Sequence, residues 1–172
     1  SMIRGEITAS CGDCREAIRY YQQVEQKDAA YLPELIPALV QSYLNCDAPQ
    51  ELIDYLTRVF KERGGISVLL ALVDLIERGP GRAEALAFLR RHLHDYPSLR
   101  GAAQLMKMDL ENPAAGERDT LTLLNDTIVQ ALEEKPVYQC TQCGFAGKVL
   151  HWHCPGCKRW NTVKPIHGLE GE

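Results

Sequence analysis

Apolar side chains recur at spacings of three and four along most of the chain, most plainly at Leu52, Tyr55, Leu56, Val59 and Phe60. Such spacing gathers apolar groups on one face of an α-helix, because a helix returns to the same side about every 3.6 residues. From Arg4 to Lys135 no segment alternates as a half-buried strand would. Breaks fall at Cys11-Gly12-Asp13, Asn45 to Pro49, Gly64-Gly65, Gly79-Pro80-Gly81, Asp95-Tyr96-Pro97 and Asn112 to Gly116, where glycine, proline and asparagine disfavour helix. The pieces between them are expected to be helices of roughly three or four turns. Short turns between helices of that length make antiparallel hairpins. The pattern ends at Lys135-Pro136, since proline stops further helix. The expected fold is therefore mainly α: helical hairpins over residues 3–135, then a small ribbon over 136–172.

The hairpins carry a period. The run from Gly12 to Val24 (GDCREAIRYYQQV) resembles the turn and second helix of a tetratricopeptide repeat. Gly5 stands at that family's small position, Gly12 at its turn glycine, Ala17-Ile18 at the start of its packed face, Tyr21 at its aromatic position and Val24 at its second small position. One repeat of about 34 residues further on, the matching positions hold Leu52, Leu56 and Val59. One more repeat on they hold Ala85, Leu89 and His92, with Pro97 closing the repeat. Asp47 in place of the turn glycine and His92 in place of a small residue depart from the pattern. The resemblance implies an α-solenoid, in which stacked hairpins share a core and leave a groove for protein segments. Tyr20, Arg19 and Tyr55 are candidates to line it; the sequence assigns no residue to a partner surface.

Composition changes this picture little. Of 172 residues, 45% are hydrophobic and 24% charged, the balance of an ordinary globular protein. The longest apolar stretch, Ile66 to Ile76, is interrupted by Ser67 and Asp74 and is too short to span a bilayer, which takes about 20 apolar residues. The opening Ser1-Met2 reads as a scar ahead of an internal start, so the chain reads as a piece of a longer protein. Charge is uneven: residues 1–135 hold 15 basic against 21 acidic side chains, whereas residues 136–172 hold Lys148, Lys158, Arg159 and Lys164 against Glu170 and Glu172. Four thiolates on a divalent ion carry a formal charge of −2, which nearby cations offset. A broad basic stripe is lacking, so nucleic acid is not an expected partner.

The chemistry lies in the cysteines. Cys140-x-x-Cys143 and Cys154-x-x-Cys157 are two tight knuckles, each aiming two sulfurs at one point, and together they can close a tetrahedron around one metal ion. Gly144 suits the positive φ that such a knuckle requires. Four thiolates leave no open coordination position, so the site is expected to be structural and the chain not an enzyme. Zinc is the expected metal and iron the alternative, since soft thiolates suit both. His151 and His153 are expected on the surface of the ribbon, where four cysteines make them redundant as ligands. Trp152, Trp160, Tyr138 and Phe145 are expected to help hold so small a unit, some of them against the last helix. With no secretory signal in view a disulfide framework is not expected. Cys11-x-x-Cys14 straddles a helix–helix turn and reads as packing and turn residues, and Cys46 is expected to have no partner. His92 and His94, two residues apart on one helix, face different directions and are not expected to act.

The tail YQCTQCGF, then LHWHCPGC, then Trp160, Thr162, Lys164-Pro165-Ile166 and Gly168-Leu169, closely resembles the C-terminus of the lipopolysaccharide assembly protein B family. The Trp-His-Cys-Pro and Lys-Pro-Ile stretches are its specific part. That family joins tetratricopeptide repeats to a rubredoxin-type ribbon, and its four metal cysteines correspond to Cys140, Cys143, Cys154 and Cys157. The resemblance implies a non-catalytic adaptor that balances lipopolysaccharide against phospholipid, with two protein partners: the deacetylase committing precursors to lipid A, and the membrane-bound AAA+ protease that degrades it. It also implies a membrane anchor upstream and a place on the cytoplasmic side of the bacterial inner membrane, this part itself being soluble. Homodimerisation is left open. Rubredoxins proper have glycine where Lys158 stands, which weighs against electron transfer. The competing readings are a rubredoxin-like electron carrier and a nucleic-acid-binding ribbon.

Overall fold

Asp13 caps a 14-residue helix by accepting a hydrogen bond from the Glu16 amide through its side chain, at 3.0 Å, which satisfies one of the amides a helix start leaves unpaired. In the computed structural model, which describes residues 13–110, 118–169 and 171 together with Gly5 and Thr8, seven α-helices follow in order among the described residues. They are α1 (Cys14–Lys27), α2 (Leu32–Asn45), α3 (Pro49–Arg63), α4 (Ile66–Arg78), α5 (Arg82–Asp95), α6 (Leu99–Leu110) and α7 (Arg118–Glu134). Three short strands close the chain: β1 (Tyr138–Cys140), β2 (Ala146–Gly147) and β3 (Val163–Pro165). The protein is thus mainly α with a small C-terminal strand region, as expected.

Most breaks fall where the sequence places them. Pro49 begins α3, Gly64 ends it with φ +72°, and Gly81 precedes α5 with φ +123°. The expected breaks at Cys11-Gly12 and Asn112 to Gly116 lie outside the described residues. One break was not foreseen, between α1 and α2. There Asp28 caps a single 3-10 turn, Ala29–Tyr31, by accepting from the Ala30 amide, and Pro33 sits in the first turn of α2. Pro37 lies within α2 without ending it.

The chain divides into two compact units, Ser1–Leu75 and Ile76–Glu172. In the first, α1 packs on α2 and α2 on α3. The positions that carry the repeat pattern form its core: Ala17, Leu52, Leu56 and Val59 are fully buried, Tyr21 and Val24 nearly so. Gly5 lies so close to Tyr21 that an added Cβ would meet the ring at 2.5 Å, so the small residue is required there for steric reasons. Glu25 is buried among these groups with its carboxylate on Arg63 Nε at 2.9 Å, and a buried charge needs such a partner. In the second unit α5 packs on α6 and α6 on α7. Ala85 and Leu89 are fully buried, while His92 is half-buried against Phe88, its Nδ1 2.8 Å from the Phe88 carbonyl oxygen. Arg82 reaches from the start of α5 to the Met108 carbonyl in α6, and Arg90 pairs with Asp109 at 2.8 Å. The same unit contains the ribbon, where a backbone bond from the Leu99 amide to Leu169 O, at 3.0 Å, ties the tail to the start of α6.

Candidate metal centre

The ribbon is a three-stranded antiparallel sheet in the order β2-β1-β3, with Tyr138 opposite both Gly147 and Pro165, and Cys140 opposite Val163. The first knuckle leaves the end of β1. The Gly144 amide donates to Cys140 O at 3.0 Å, the Cys140 amide to Phe145 O at 2.7 Å, and Gly144 has φ +74°. The second knuckle repeats this arrangement: the Lys158 amide donates to Cys154 O at 3.0 Å, the Cys154 amide to Arg159 O at 2.9 Å, and Lys158 has φ +60°. Lys158 thus occupies the left-handed conformation that glycine takes at the equivalent place, at a cost of roughly 1–2 kcal/mol for a residue with a Cβ.

The two knuckles face each other. Cys140 Sγ lies 3.8 Å from Cys157 Sγ, Cys143 Sγ lies 3.7 Å from Cys154 Sγ, and all four sulfurs fall within 4.8 Å of one another. A tetrahedron with metal–sulfur bonds of about 2.3 Å has edges of about 3.8 Å, so the four sulfurs are already spaced to fit such an ion. The Gln142 amide points at Cys140 Sγ at 3.4 Å, and Thr162 Oγ1 lies 3.3 Å from the same sulfur. These contacts draw the Cys140 thiol down to about 6, the Thr162 hydroxyl first and the backbone amides after it. The Cys143 thiol is pushed up to about 11: the Phe145 amide draws it down, but burial and the three neighbouring thiols outweigh that. Four sulfurs this close cannot all ionise unaided, and a divalent cation among them removes the conflict.

The apolar core of the ribbon is small. It comprises Tyr138, Cys140, Cys154 and Val163, with Phe145, Leu150 and Cys157 packed against it. The tryptophans do not join it: Trp152 is 44% and Trp160 72% exposed. Trp160 lies instead against the ring of His153 at 4.8 Å, and His151 meets Phe145 edge-on at 5.8 Å. Arg159 donates to Gln142 Oε1 at 2.6 Å, joining one knuckle to the other.

Elsewhere the structure corrects one expectation. Cys46, expected to have no partner, forms a disulfide with Cys14, expected to be a packing residue, their Cα atoms 5.8 Å apart. The antiparallel packing of α1 on α2 brings the first turn of one helix to the end of the other, a proximity that no local spacing reveals; Cys11 lies outside the described residues. Of the groove candidates, Tyr55 lines a hollow of about 440 Å³ in the first unit, together with Gln22, Tyr43, Glu51, Asp54 and Arg58. Tyr55 is nonetheless largely buried, its hydroxyl finds no hydrogen-bond partner among the described residues, and burial raises its pKa above the ordinary value. Arg58 stacks over its ring at 5.1 Å. Tyr20 instead donates to Glu16 at 3.1 Å, and Arg19 is exposed.

These features define a class: a chain of helical hairpins ending in a rubredoxin-type ribbon with a four-sulfur metal site. Residues 138–165 match the family model described as a rubredoxin metal binding domain. Over 172 residues, 99% of its length, the chain is 31% identical to lipopolysaccharide assembly protein B of Escherichia coli strain K12. It is 25% identical over 171 residues to the protein of the same name from Haemophilus influenzae. The resemblance to lipopolysaccharide assembly protein B therefore runs through both the helices and the ribbon. The chain spans 44% and 43% of these two relatives, less than half the length of each. Among the described residues, no helix is long and apolar enough to cross a membrane.

Proposed function

We propose that this chain is part of a non-catalytic adaptor in the control of lipopolysaccharide assembly. The carrying observation is the similarity to lipopolysaccharide assembly protein B over 99% of the chain. The matching proteins are named for assembly and not for a reaction. In this reading residues 3–135 form tetratricopeptide-like hairpins that offer surfaces to protein partners. The buried repeat positions and the contact of Gly5 with Tyr21 support it. Residues 136–172 form a ribbon closed by one zinc ion on Cys140, Cys143, Cys154 and Cys157, with iron as the rival metal. The ion fixes the two knuckles; Gln142 and Thr162 orient and stabilise the Cys140 sulfur.

The partners in this reading are the deacetylase that commits precursors to lipid A and a membrane-bound AAA+ protease, brought together so that the first is degraded. The work takes place on the cytoplasmic side of the inner membrane, with an anchor upstream of the residues present here, and involves no nucleic acid. The test is co-purification of both proteins with a longer chain that includes these residues. Both should be retained by the intact chain, and the deacetylase should turn over more slowly without it. Failure to retain either protein, with helices and ribbon folded, overturns the reading. Elemental analysis settles the ion: one zinc per chain and no visible absorbance is expected, whereas a coloured, redox-active iron site would restore the electron-carrier alternative.

A further inference from the structure

Cys14 and Cys46 are not part of the metal set, and the adaptor reading makes no use of them. Cys14 is the first residue of α1, directly after the Asp13 cap, and Cys46 caps the end of α2. Both are half-buried, and their Cα separation of 5.8 Å suits a disulfide. The neighbouring tie between α1 and α3 is non-covalent. Arg15 forks onto Glu51 at 2.7 and 3.1 Å with both side chains more than half exposed, and exposed pairs of this kind hold weakly. Asp13 and Glu16 flank Cys14, and Asp47 follows Cys46.

We infer that Cys14 and Cys46 are a reversible thiol–disulfide site that pins the first turn of α1 to the turn between α2 and α3, and that it exchanges electrons with a thiol–disulfide couple. The two sulfurs are not equivalent. The start of a helix favours an anion and its end disfavours one, so Cys14 is the better thiolate and the better leaving group. In reduction an external thiolate attacks Cys46 Sγ, the Cys14–Cys46 bond breaks, and Cys14 departs as thiolate. A second external thiol then attacks the external sulfur of the mixed disulfide and frees Cys46. Two electrons pass to the protein, the external couple leaves as its disulfide, and the protons of the two external thiols end on Cys14 and Cys46 where these are not ionised. Oxidation is the reverse: Cys46 takes up the mixed disulfide and Cys14 thiolate displaces the external thiolate.

The bond closes a loop that runs through α1, the 3-10 turn and α2, and its loss returns chain freedom chiefly to the helix start, because the face of α1 that packs on α2 remains apolar. The reduced form therefore keeps its fold with a loosened first turn. The test is a redox titration of the metal-loaded chain in buffers of reduced and oxidised glutathione. Samples are acid-quenched and alkylated, each cysteine is read by peptide mass spectrometry, and metal content is followed in parallel. The Cys14–Cys46 cross-link should appear at the oxidising end, vanish at the reducing end and regrow on return, with the metal retained throughout. Amide exchange over residues 14–20 should rise at least tenfold on reduction while the buried centre of α2 stays protected. Cys14→Ser should hold a persistent glutathione adduct on Cys46. The proposal is overturned if Cys14 and Cys46 are alkylated separately at every ratio, if Cys11 proves to be the partner of either, or if the cross-link survives the reducing end with the chain folded.

Discussion

The first compact unit and the ribbon reach a fixed shape by opposite means. In Ser1–Leu75 more than a dozen side chains from α1 to α4 are buried, most of them aliphatic or tyrosine. In the ribbon four buried residues form the core, and two of them, Cys140 and Cys154, also aim their sulfurs at the metal position. Burial spread over many groups degrades gradually when one is trimmed. A core that doubles as a coordination shell has no reserve, as expected for units too small to bury much apolar surface.

Perturbing the four-cysteine site should have the greatest consequence. Chelation, or Cys154→Ser, should unfold the ribbon, since structural four-cysteine zinc sites supply on the order of 10 kcal/mol. Dispersed amide resonances of residues 138–165 should collapse while most helical circular dichroism remains. A proportional loss of helical signal would show that ribbon and helices stand or fall together. Next in size, Leu56→Ala in the first unit should cost about 2–5 kcal/mol in urea melts and leave metal affinity unchanged; a weakened metal site would refute the independence of the two regions.

A finer probe uses the two knuckles. Gly144→Ala places a Cβ at φ +74° with nothing within 4 Å of it, so the backbone alone resists, and ribbon stability should fall by about 1–2 kcal/mol. Lys158→Gly relieves the same conformation in the second knuckle and should raise stability by about 1 kcal/mol. Changes of the same sign in ribbon melting would mean that the Lys158 side chain holds something more than its own backbone. The smallest effect is electrostatic. Arg15 holds the Glu51 carboxyl below its ordinary value of 4.5, first by hydrogen bonding. A folded value below the unfolded one means the contribution is present above pH 4.5 and lost as pH falls through the folded value. Melting curves of the parent and Glu51→Gln should therefore differ slightly at neutral pH and converge in acid.

Legibility followed the range of the forces involved. Breaks marked by Gly64, Pro80 and Pro97 depend on local dihedral preferences, and the ribbon spacing on two four-residue knuckles, so both could be read directly. The repeat positions could be read because helical periodicity and burial agree, from Ala17 to Leu89. The break after Lys27 could not, because Asp28 has neither glycine nor proline beside it and Pro33 comes only after the turn. Sequence distance hid the Cys14–Cys46 bond, which depends on two helices packing first. The rings of Trp152 and Trp160 were overvalued: composition suggested core, whereas the short hairpin of the second knuckle places them outside it.

The sheet order has a mechanical corollary. The residue where β1 begins, Tyr138, lies opposite Pro165, where β3 ends, so the chain enters and leaves the sheet at the same end. Tension between those two points peels the strands apart one pair at a time instead of shearing them together. The peeling runs from Tyr138 through Gln139 to Cys140, the residue that a bound ion would hold next. With an ion bound at Cys140, that coordination would be the strongest tie in the path, and its strength would set the force at which the ribbon gives way.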